Sequence, residues 1–184
     1  PNPSGVTFLP EYPEINVISN VKAADGTPIG NLGDGEAVWH ADMTYIEQPP
    51  VAGILYSLEV PRDQGNTYFS NMIYAYEALP TNLKKEIDGK ILIHDAAHNS
   101  AGMLRKGYSE VTDPSETQGA RHPMVWTDTG GKRALFLGRR PHAYVVGLSA
   151  DDSNQLLDEV WSHATNFEWT WHNEWEVGDL VMRQ

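Results

Sequence analysis

No cysteine occurs in the 184 residues. That absence removes disulfide frameworks, thiolate zinc sites and thiol nucleophiles together. No apolar run approaches the roughly 18 residues that a membrane-spanning helix needs. The opening Pro1-Asn2-Pro3-Ser4-Gly5 lacks the basic start and apolar stretch of a secretory signal. Basic residues are scarce: 13 Lys and Arg face 25 Asp and Glu, a formal net charge of −12. A field of that sign repels phosphate backbones, so neither nucleic acid nor a membrane is expected as a partner. A cytoplasmic setting fits, and a homo-oligomer is left open.

What is present suits one globular domain. Hydrophobic residues make 40% and charged residues 21%, and a chain this long can bury roughly 70% of its unfolded surface. The expectation is a single domain over 1–184, without repeats or low-complexity tracts. The run 51–60 reads as a strand bounded by Pro49-Pro50 and Pro61. Helices are expected over 71–79 and 83–88, the second stopped by Gly89. Short apolar runs at 91–93, 124–126 and 134–137 have strand character. Ser149 followed by Asp152 marks a helix start, and Leu156, Leu157, Val160, Trp161 and Ala164 form one stripe behind it. Phe167, Trp169, Trp171 and Trp175 alternate with polar residues as in a half-buried strand, and these tryptophans read as core. His142, His163 and His172 read as solvated. Residues 99–119 hold Gly102, Gly107, Pro114 and Gly119 and read as a long loop or lid. Many short strands with a few helices imply a mainly β jelly roll decorated by helices.

Trp39-His40-Ala41-Asp42-Met43-Thr44 sets an imidazole and a carboxylate two residues apart. On a strand the two would share one face and could converge on one ion. A second histidine would complete the two-His-one-carboxylate triad that leaves positions open on Fe(II). With seven histidines and 25 carboxylates in the chain, the tripeptide alone decides nothing.

Its surroundings carry more. Residues 39–45, Gly65-Asn66-Thr67-Tyr68-Phe69-Ser70-Asn71-Met72 and Ala75-Tyr76-Glu77-Ala78-Leu79-Pro80 together resemble the taurine dioxygenase family. His122-Pro123-Met124-Val125, Lys132-Arg133-Ala134-Leu135-Phe136, Gly147-Leu148-Ser149 and residues 175–181 continue the resemblance in order. The family implies an Fe(II)- and 2-oxoglutarate-dependent dioxygenase on a double-stranded β-helix. Such an enzyme hydroxylates an unactivated C–H of a small organic substrate with O2, releasing succinate and CO2. By the same resemblance, His40 and Asp42 match iron ligands, and Thr67 matches a threonine that bonds the 2-oxoglutarate carboxylate. Glu36, Met43 and Phe136 fall at substrate-side positions. The third histidine ligand and an arginine for 2-oxoglutarate would lie beyond Gln184, so the jelly roll is expected to be incomplete and this form inactive. Met182-Arg183-Gln184 departs from the family's apolar-Trp-Asp at that point. Asp42 favours hydroxylation over halogenation, because halogenating relatives replace that carboxylate by a small residue. Glu36 stands where the taurine-using branch carries a neutral amide; its charge would oppose a sulfonate by about 1 kcal/mol or more, so taurine is not the expected substrate.

Two rivals remain. A jelly-roll binding module with an incomplete metal site would share the scaffold without turnover. His94-Asp95-Ala96-Ala97-His98 mimics the H-E-x-x-H helix of zinc hydrolases, but Ile91-Leu92-Ile93 leads into it as a strand.

Overall fold

A computed structural model describes residues 8–9, 11–32, 37–139 and 142–183. They fall into two compact units, Pro1–Trp39 with Ala97–Glu110, and His40–Ala96 with Val111–Gln184. The first unit carries β1 (Phe8–Leu9) paired antiparallel to β2 (Tyr12–Asn16), and β3 (Ile18–Ser19) paired parallel to β4 (Asn31–Leu32). At Gly30 an added Cβ would lie 2.6 Å from the Ser19 backbone nitrogen, so only glycine lets these segments approach. Also in this unit, the buried His98 pairs its Nε2 with Glu110 at 3.2 Å.

The second unit is mostly short strands with three helices. In chain order it holds β5 (Gly53–Tyr56), β6 (Thr67–Ser70), α1 (Met72–Ala78), α2 (Thr81–Ile87) and β7 (Ile91–Asp95). There follow β8 (Gly119–Pro123), β9 (Val125–Thr127), β10 (Arg133–Leu135), β11 (Tyr144–Val145), α3 (Ala150–Ala164), β12 (Thr170–Asn173) and β13 (Leu180–Arg183). Late strands return to early ones: β12 pairs antiparallel with β6, and β13 with β5. The β11-β7-β8 sheet and the β9–β10 hairpin lie between them in the chain. This closure of distant strands is what a jelly roll requires.

The helices follow their local signals. The Asn71 side chain accepts from the Ile73 and Tyr74 amides to start α1. Ser149 does the same for Asp152 at the head of α3, whose Leu156, Leu157, Val160, Trp161 and Ala164 are all buried. That face meets β11 and α1, while α1 packs on β10. Ser153 on α3 is buried and accepts from the Val145 amide at 2.9 Å, tying helix to sheet.

Several expectations change. The strand over 51–60 shortens to Gly53–Tyr56. The strand over 167–175 begins late, because the Asn166 side chain caps a 3-10 turn at Phe167–Trp169. Trp171 is not core: it is 55% exposed and stacks on Phe69, its cross-strand partner, at 5.4 Å. Phe167 is also exposed. Trp169 and Trp175 are half-buried. His163 is not merely solvated, since its Nε2 bonds the Ala75 carbonyl at 2.9 Å and its ring lies on Trp169. His142 is half-buried with φ of +70°. Residues 99–113 hold neither helix nor strand, and Pro114–Glu116 form a 3-10 turn before β8.

Candidate metal centre

Asp42 lies in a turn and His40 in an isolated antiparallel bridge, so the pair does not share a strand as the spacing suggested. Met43 takes a left-handed φ of +53°, and the Ile46 amide closes the turn onto the Met43 carbonyl at 3.2 Å. Convergence survives by another route. The Ala41 amide donates to the Gly138 carbonyl at 2.7 Å, and His40 forms a bridge with Arg139. On the other side, His122 Nε2 bonds the Thr44 and Ile46 carbonyls at 2.9 and 3.1 Å. The Ala120 amide reaches the Tyr45 carbonyl at 3.0 Å. Strand β8 and the segment after β10 therefore clamp the turn from both flanks.

Within it, His40 Nε2 and Asp42 Oδ1 stand 3.1 Å apart. Adjacent ligands of an octahedral ion with bonds of about 2.1 Å are separated by about 3.0 Å. The separation of the pair therefore matches that of adjacent ligands on a divalent ion. Burial works to raise the Asp42 carboxyl, but the His40 hydrogen bond and the Arg183 guanidinium outweigh it and hold the group below the usual carboxylate value. Arg183, on β13, donates to Asp42 Oδ2. Among the described residues no cluster of three or more His, Cys, Asp or Glu stands as a metal site.

The other sequence-derived positions are placed as follows. Thr67 opens β6, and its Oγ1 accepts from Trp175 Nε1 at 2.9 Å. Its hydroxyl proton stays available to a carboxylate. Phe136 packs on His94 and His122, each 5.2 Å between ring centres. Met43 is half-buried beside Asp42 in the turn. Glu36 lies outside the described residues. Neither Thr67 nor Phe136 makes a hydrogen bond or ring contact with His40 or Asp42 among the described residues.

Two features have no counterpart in the sequence reading, a contact of Arg183 and the enclosure of His94. Arg183 is visible there only as a departure from a family pattern. His94 is 1% exposed on β7 with neither ring nitrogen hydrogen-bonded among the described residues. Burial, with the charge of His122 adding to it, pushes His94 down to about 3. It underlies Gly138, where an added Cβ would fall 2.2 Å from His94 Nδ1. His94 sits on a strand, so the helical His94/His98 pair of a zinc hydrolase does not form.

The closure of late strands on early ones and the adjacent His40 and Asp42 define a class, jelly-roll scaffolds that carry a paired imidazole and carboxylate. Within it the chain belongs to the family described as taurine catabolism dioxygenase TauD, TfdA family, matched over residues 3–183. It is 32% identical over 181 residues to the alpha-ketoglutarate-dependent 2,4-dichlorophenoxyacetate dioxygenase of Cupriavidus pinatubonensis, covering 94% of this chain and 61% of that protein. It is 30% identical to the alpha-ketoglutarate-dependent sulfate ester dioxygenase of Pseudomonas putida, covering 88% and 58%. Among solved structures, AAD-2 in complex with Mn(II) and N-oxalylglycine superposes with a TM-score of 0.67 at 27% identity, covering 82% of this chain and 64% of that one. The chain thus spans about six-tenths of the length of the curated relatives it matches.

Proposed function

We propose that the protein is an Fe(II)- and 2-oxoglutarate-dependent dioxygenase that hydroxylates an unactivated C–H bond of a small organic substrate. The observation that carries this reading is the 3.1 Å approach of His40 Nε2 to Asp42 Oδ1 inside the family's sequence blocks. His40 and Asp42 would hold the iron, with a histidine further along the whole protein as third ligand. The bound iron would supply oxygen activation: one oxygen atom enters the product, and the other enters succinate as 2-oxoglutarate loses CO2. The chain's own residues bind and orient. Thr67, whose Oγ1 accepts from the Trp175 indole, would give its hydroxyl proton to a 2-oxoglutarate carboxylate. Phe136 and Met43 would supply apolar surface to the substrate, and Glu36 would disfavour a sulfonate. The acidic balance and the absence of cysteine support a cytoplasmic enzyme without nucleic-acid or membrane partners.

A panel of carboxylate, sulfonate and sulfate-ester substrates, scored by succinate release from the intact protein, tests this. Expected are substrate-dependent succinate, its loss in His40→Ala, and taurine slower than the best substrate. No 2-oxoglutarate turnover with Fe(II) on any substrate would leave the binding-module reading. Chlorinated product in place of hydroxylated product would overturn the reaction type.

A further inference from the structure

Strand β13 brings a cation to the oxygen of Asp42 that His40 does not touch. Oδ1 faces His40 Nε2 at 3.1 Å, while Oδ2 accepts from Arg183 Nη2. We infer that Arg183 is a positioning residue of the metal centre, holding Asp42 as a ligand through one oxygen only. The inference rests on the proposed metal-binding role of His40 and Asp42. The two contacts divide the carboxylate: rotating it to offer both oxygens would break the guanidinium bond.

The backbone is built around that division. Gly53 on β5 is the register partner of Arg183. A Cβ at Gly53 would lie 3.3 Å from Asp42 Oδ2 and 4.0 Å from Arg183 Nε, so the missing side chain gives the carboxylate room. Arg183 Nε is buried and has no hydrogen-bond partner among the described residues. The Arg183 side chain is half-buried, and Asp42 is the polar partner that its guanidinium has among the described residues. The guanidinium bonds Oδ2, and Oδ1 is the oxygen that faces His40 Nε2. Groups that orient metal ligands in this way typically contribute 10–100-fold in metal affinity.

Co(II) titration of the intact protein, followed by visible absorption, tests the assignment. In Arg183→Met, binding is expected to weaken roughly 10–100-fold, with an altered band envelope as the second oxygen becomes available. Arg183→Lys restores one charged donor and is expected to recover part of the loss. Arg183→Gln keeps a donor without the charge and should weaken binding in the same direction, which serves if the Met variant does not fold. His40→Ala should bind far less tightly than any of them. Unchanged or tighter Co(II) binding in Arg183→Met, with binding still lost in His40→Ala, would overturn the positioning role alone. If His40→Ala binds as wild type does, the metal centre itself is misassigned and the inference falls with it.

Discussion

His94 is a titratable ring enclosed with no hydrogen-bond partner among the described residues. Its folded value of about 3 lies below the ordinary 6.5, so between those values the unfolded chain holds a proton that the folded chain refuses. Stability is then fully present above pH 6.5 and lost as pH falls toward 3. At 1.36 kcal/mol per pH unit, the loss from pH 7.5 to pH 5 is about 2 kcal/mol from this residue. Urea unfolding at the two pH values should show that difference in the wild type and much less of it in His94→Leu. Equal pH dependence in both would mean that His94 is not held neutral. The same ring lies beneath Gly138, whose carbonyl holds the Ala41 amide between the two metal-ligand candidates.

At the scale of elements, α3 gives the cleanest separation of local from tertiary energy. Ser149→Ala removes the oxygen that caps Asp152 and should cost about 1 kcal/mol. Leu157→Ala empties a fully buried position against the sheet and should cost about 2–5 kcal/mol. Chemical denaturation of the two variants checks both the order and the gap. This helix was legible in the sequence because cap and stripe both lie within it. The metal turn was legible only in part. The spacing of His40 and Asp42 announced the pair, but the left-handed Met43 that makes a turn of it has no local signal. Trp171 failed for a different reason: alternation at period two marks two faces without saying which one is covered. Arg183 was illegible as a functional residue because its partner comes from the other end of the chain, and pairing of β13 with β5 is a tertiary fact.

Across the molecule, the β5–β13 ribbon leaves one face bare. Tyr56 opposite Leu180 and Ile54 opposite Met182 are each at least 60% exposed. Four large apolar side chains in two adjoining pairs form a patch of the kind soluble surfaces rarely leave open. The 184-residue chain should therefore bind a hydrophobic dye such as ANS at neutral pH. The double variant Ile54→Thr with Met182→Thr should lower the fluorescence without moving the denaturation midpoint appreciably. Undiminished fluorescence would place the dye elsewhere.

The salt bridge between Arg183 and Asp42 also sets a clock. Its partners are 141 residues apart in the chain. At about 5–20 residues per second, a ribosome needs roughly 7–30 s to go from one codon to the other. Throughout that interval Asp42 exists on a nascent polypeptide whose β5 has no β13 to pair with. The carboxylate is then open to any cation in reach, and a metal captured early would be captured without the arginine's constraint on its coordination. If His40 and Asp42 hold a metal as proposed, loading under the arginine's constraint can follow only after β13 has been made.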